Sequence, residues 1–179
     1  MHKTLVILAV LLLDLSALGQ GTILFNNRVV LPGGVDAPVS RCDGSGAGAG
    51  ATAQLFLVSG SGASTAYMPL EPATTFRTFS PITEYYVVQP PNLVVVPGIR
   101  PGEPATVVLR AWEGSSYETA SVRGQSLPIT ISLGPSIPIG PIPDTLLIGL
   151  QGFSMCIPEP STLAVLALGL GVLFSRRSS

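Results

Sequence analysis

The chain has 179 residues, room for one modest domain, with 11% charged residues, a net charge of −1, 20 Gly and 17 Pro. So many Gly and Pro disfavour long helices and suit short strands joined by turns. The lack of a basic run in the middle of the chain argues against a nucleic-acid partner, which needs clustered Lys and Arg to displace counterions from phosphates.

From the N-terminus, Met1-His2-Lys3 precedes an apolar run from Leu5 to Leu13. A positive start followed by a short apolar stretch is the pattern of a secretory signal, expected to form a helix. Ala17-Leu18-Gly19 places small residues where a signal peptidase needs them, so cleavage is expected between Gly19 and Gln20. Asp14, at the edge of the run, is the one residue that fits poorly. The expected organisation is a signal peptide over 1–19, a β-rich passenger over 20–157 and a C-terminal segment over 158–179.

Removal of the signal would carry chemical consequences. The only His is His2 and the only Lys is Lys3. A chain beginning at Gln20 would hold neither, which excludes Ser-His-Asp and Cys-His catalysis, a His-ligated zinc, a Lys Schiff base and the Lys of a phosphate-binding loop. No metal or cofactor is expected. Carboxylate-only chemistry is what remains open to it.

In the passenger, Ile23-Leu24-Phe25 reads as a first strand, with Asn26-Asn27 as a turn or edge. Asp43 to Gly50 and Ser59 to Ser64 read as flexible low-complexity loops. Strands are expected over Ala53–Val58, over Tyr85–Val88 (closed by Pro90-Pro91) and over Leu93–Val96. Ala105–Glu113 is the best central strand, because Val107, Leu109 and Ala111 share one face and Val108, Arg110 and Trp112 the other. Leu127–Leu133 alternates apolar and polar, with Pro128 suiting an edge or a strand start. Gly134 to Pro143 reads as a Pro-rich linker or crossover, and Leu146–Met155 as the last strand. The fold class expected is all-β, a β-sandwich of about six to eight short strands, with an open barrel as the alternative. An N-terminal signal helix and a C-terminal apolar helix should flank it.

Three sets of residues in the passenger invite functional readings. Cys42 and Cys156 are the only cysteines, and in an oxidising compartment they either form a bridge or remain two thiols. Trp112, Tyr117, Tyr85 and Tyr86 could stack on sugar rings, although aromatics on strands usually serve packing. Glu113 and Glu118 could act as the paired carboxylates of a glycoside hydrolase, although glutamates near a turn are usually solvated.

The C-terminus reads Pro158-Glu159-Pro160-Ser161-Thr162, then an uncharged stretch from Leu163 to Phe174, then Ser175-Arg176-Arg177. The prolines prevent a helix from extending backwards, and Ser161 or Thr162 can cap its start. A helix of that length covers roughly 18–21 Å, less than the ~30 Å hydrocarbon core of a bilayer, so residues 162–175 make a marginal anchor. Arg176 and Arg177 would stop transfer and favour the cytoplasmic side. This constellation resembles the PEP-CTERM sorting domain, a bacterial tag recognised by the membrane enzyme exosortase. The resemblance implies a Gram-negative exported protein that crosses the inner membrane through the translocon and is anchored transiently. It implies recognition at Pro158-Glu159-Pro160 and delivery to the cell surface or extracellular matrix, often in association with exopolysaccharide. Ala105–Glu113 with the following Gly114-Ser115-Ser116-Tyr117-Glu118 is similar to a stretch common in the passengers of such proteins, and brings no assigned activity. The expectation is therefore a non-enzymatic surface or matrix protein, with an exopolysaccharide-binding module or a carboxylate-dependent hydrolase as alternatives.

Overall fold

The computed structural model describes residues 19–135 and 145–156. The expected signal helix, most of the Pro-rich stretch, the sorting motif with Pro158, Glu159 and Pro160, the expected apolar helix and Arg176-Arg177 lie outside the described residues. The rest is β structure, as the composition implies, and no helix among the described residues is long and apolar enough to cross a membrane.

Eleven strands occur among the described residues, rather than six to eight. They are β1 (Gly21–Ile23), β2 (Arg28–Val29), β3 (Val35–Asp36), β4 (Val39–Arg41), β5 (Ala51–Ser59), β6 (Ala66–Thr75), β7 (Val94–Val96), β8 (Pro104–Glu113), β9 (Arg123–Gln125), β10 (Ile129–Ser132) and β11 (Phe153–Met155). The surplus consists of pairings two or three residues long, too short to leave a periodic signal.

The centre is an antiparallel sheet in the order β10-β8-β5-β6, with β9 pairing beside β8. Its middle pair sets Leu55 opposite Leu109 and Ala53 opposite Ala111. The period of two then turns Ala53, Leu55, Ala105, Val107, Leu109, Ala111 and Ile131 to one face, all buried. Over that face lie three separate ladders instead of one second sheet: β1–β7 and β2–β3, both antiparallel, and β4–β11, parallel. They contribute Ile23, Val35, Val39, Val94, Val96 and Met155 to the same core, with Phe25 and Phe76 as its largest side chains.

Several local expectations are revised. Tyr85–Val88 is a turn region touching the sheet through a single bridge, Phe76 to Val87. Backbone bonds hold it to the end of β6 and to β4: Val88 N donates to the Thr75 carbonyl, Arg77 N to that of Tyr86 and Val39 N to that of Tyr85. Asn27, fully buried, adds side-chain bonds: it accepts from Val87 N (2.9 Å) and donates to the carbonyls of Tyr85 (3.2 Å) and Ala37 (2.7 Å). A side-chain amide presents one acceptor and two donors, so it can supplement the backbone bonds of an irregular segment. Asn27, read as a turn or edge residue, is therefore an internal strut.

The longest missed strand is β6. Pro69 and Pro72 argue against a strand in the sequence. They are accommodated because β6 is the sheet edge, where a missing N–H leaves no ladder bond unmade. Opposite Pro72 the register shifts, and Gln54 fills the irregularity by donating to the Leu70 carbonyl (3.3 Å) and the Glu71 carboxylate (3.0 Å).

Within the stretch from Asp43 to Gly50, expected as a flexible loop, Gly46 to Gly48 are buried. Ala47 is fully buried and its N–H donates to the Val39 carbonyl, while Gly48 N donates to that of Glu84. Gly46 is required there, because a Cβ at that position would lie 2.5 Å from Cβ of Glu84. The last expected strand shrinks to β11, since Gly149 at φ +90° closes a turn in which Leu150 N donates to the Leu147 carbonyl.

Candidate functional site

The outward face of β8 carries Val108, Arg110 and Trp112, as the alternation in the sequence predicts. Val108 and Trp112 pack with Phe56 of β5 into a second, small apolar cluster. The loop after β8 folds back over it, because Ala120 N donates to the Ser116 carbonyl and Glu113 N to that of Val122. Tyr117, carried by this loop, meets Trp112 edge to face, with centroids 6.1 Å apart and planes at 87°.

Arg110 is the unusual member. Only 8% of it is exposed. Its guanidinium lies over the rings of Tyr67 (3.9 Å), Tyr117 (4.4 Å) and Phe56 (4.7 Å), and its Nε donates to Gln125 Oε1 at 3.1 Å. Ring quadrupoles attract a cation, by about 0.5–2 kcal/mol per contact. Its charged partner is Glu118, 3.7 Å away, with a side chain 70% exposed. Arg123 also lies over Tyr117 (5.4 Å) and donates through one Nη to the carbonyls of Tyr117 and Glu118. Together with Tyr117, Glu118, Gln125, Ser154 and Cys156, these two arginines line an open groove of about 710 Å³. An arginine inside an apolar strand was the sequence signal for this place. Its companions come from β9, β11 and a loop, and nothing local announces them.

The bridge left open by the sequence is formed. Cys42 and Cys156 are a disulfide with Cα atoms 5.2 Å apart and a sequence separation of 114. β4 and β11 run parallel immediately before these residues, with Arg41 paired to Met155, which brings the two cysteines side by side.

The four aromatic candidates divide between two places. Tyr117 lines the groove, and Trp112 packs against Tyr117 in the small apolar cluster. Tyr85 and Tyr86 lie against other elements: the Tyr85 hydroxyl donates to the Gly44 carbonyl and that of Tyr86 to the Asp36 carboxylate. The Arg28 guanidinium lies 4.5 Å from the centroid of the Tyr86 ring. Burial, then the bond to Asp36, pushes the Tyr86 phenol above its ordinary range. Tyr117 and Tyr86 thus each carry an arginine of the protein itself on the ring surface a sugar would use.

The two carboxylates are likewise engaged separately. Glu113 pairs with Arg41 through two contacts, 2.7 and 2.8 Å, and ties β8 to β4. Glu118 faces Arg110 from solvent. Gly19 and Gln20, the expected cleavage position, are half-buried at the start of the described chain.

Residues 157–178 match the family model for the PEP-CTERM protein-sorting motif. The chain carries that motif directly after Cys156, and the motif implies an exported, cell-surface-associated protein processed by exosortase. No curated protein and no solved structure matches the chain.

Proposed function

We propose that this chain is a structural surface or extracellular-matrix protein of a Gram-negative bacterium, delivered without a catalytic task of its own. In this reading a signal peptide leads it through the translocon. Residues 162–175 anchor it transiently, and exosortase acts at Pro158-Glu159-Pro160. The observation that carries the reading is the sorting motif following directly on a half-cystine. A disulfide persists in oxidising compartments outside the cytoplasm, so the body and the tag point to the same destination.

The two candidate carboxylates are engaged separately and do not form a pair. Glu113 is committed to Arg41, and Glu118 is solvated beside Arg110. This supports a non-catalytic body over a carboxylate-dependent hydrolase. The arginines lying on Tyr117 and Tyr86 support it over an exopolysaccharide-binding module that stacks sugars on those rings. On a glycan array the oxidised protein is expected to show no retained polysaccharide; reproducible retention of one would replace the structural reading with the binding one.

The sorting route has its own test. Replacing Pro158, Glu159 and Pro160 together by Ala is expected to leave the protein in the membrane fraction of its own cells, with the tail still attached. Release of this variant in the same amount as the unaltered protein would contradict processing at that motif.

A further inference from the structure

The groove beside Arg110 has more positive than negative charge, and the chain leaves the body from its wall. A buried cation needs a close counter-ion, because desolvation penalises the charge. Among the described residues, Arg110 finds only the solvated Glu118 at 3.7 Å. A mostly exposed carboxylate at such a distance contributes little. Arg123 adds a second guanidinium, bonded through Nη to neutral backbone carbonyls. Two cations therefore face one loosely held carboxylate across an open space of about 710 Å³.

Ser154 and Cys156 form another part of the same wall, and the disulfide to Cys42 pins the chain there. Glu159 stands three residues beyond Cys156 and is the only acidic residue between 157 and 178. At about 3.3–3.6 Å per extended residue, its Cα reaches at most ~10 Å from that of Cys156. Charge and position thus agree on one occupant.

We propose that the groove is a docking site for the chain's own Pro158-Glu159-Pro160 segment, received through the Glu159 carboxylate by the half-buried Arg123 guanidinium beside Arg110. A seated motif is withheld from exosortase, so groove and enzyme compete for the same three residues. The docking itself rests on where the motif lies; the competition rests on the sorting route proposed above.

The test uses the full oxidised chain in detergent, with Ser161→Cys carrying a nitroxide label. The label is expected to be restricted at low salt and to become mobile in E159Q, in R123Q and at about 1 M salt, where the screening length falls to about 3 Å. The charge exchange E159R/R123E is expected to restore the restriction. Glu159 is not among the core residues, so E159Q does not depend on a refolded core. A label whose mobility is the same with and without Glu159→Gln, at both salt concentrations, overturns the docking. That result leaves the sorting route untouched, because the route is read separately from fractionation of the triple alanine variant.

Discussion

Removing the Cys42–Cys156 bridge is expected to lower the unfolding free energy by about 4–5 kcal/mol, the chain-entropy value for a closed loop of this size. The bridge spans 114 positions, so the unfolded chain it constrains is most of the passenger. In a domain of this size each kcal/mol corresponds to a few degrees, giving a fall in Tm of roughly 10–20 °C. There is also a local effect. β11 is only three residues long, pairs with β4 alone, and is followed at once by Cys156. Without the bridge its fully buried Met155 is held by packing and a short parallel ladder alone. The measurement is thermal unfolding of the oxidised protein against a Cys42→Ser/Cys156→Ser variant, with hydrogen exchange read at Phe153–Met155. Melting within about 3 °C of the oxidised form would mean that the bridge constrains little that the fold does not already hold.

Leu109→Ala is expected to cost about 3–5 kcal/mol, the upper range for a leucine deleted from a packed core. Leu109 is fully buried, stands opposite Leu55 in the central pair of the sheet, and belongs to the core shared with the three short ladders. Its neighbours sit on paired strands and cannot collapse into the vacated space. Leu127→Ala supplies the contrast: that leucine is 67% exposed, and a change within about 0.5 kcal/mol is expected. Denaturant titrations of both variants separate the cases. A loss below about 1 kcal/mol at Leu109 would contradict the placement of β8 at the centre of the core.

Legibility followed the range of the interaction. The faces of β8 were readable because a period of two assigns each side chain to a side without reference to any partner. The same reasoning failed for β6, whose prolines are tolerated only because the strand is an edge. It failed again for Tyr85–Val88, where high β-propensity met a turn whose backbone bonds go to the end of β6, to β4 and to the buried amide of Asn27. Propensity describes a residue's preference, and the pairing that overrides it comes from elsewhere in the chain.

By itself the sequence determined the all-β class and the sorting motif, because composition and a contiguous run of residues carry both without any folded context. It also determined that Arg110 must share a face with Val108 and Trp112. Only the tertiary structure decided that Cys42 and Cys156 meet and that three short ladders, not a second sheet, cover the core. It alone gathered Arg110, Arg123, Tyr117 and Cys156 around one groove, at the point where the chain runs into its tag. These are contacts between residues far apart along the chain. Their formation depends on register and strand partners, and local periodicity carries no record of either.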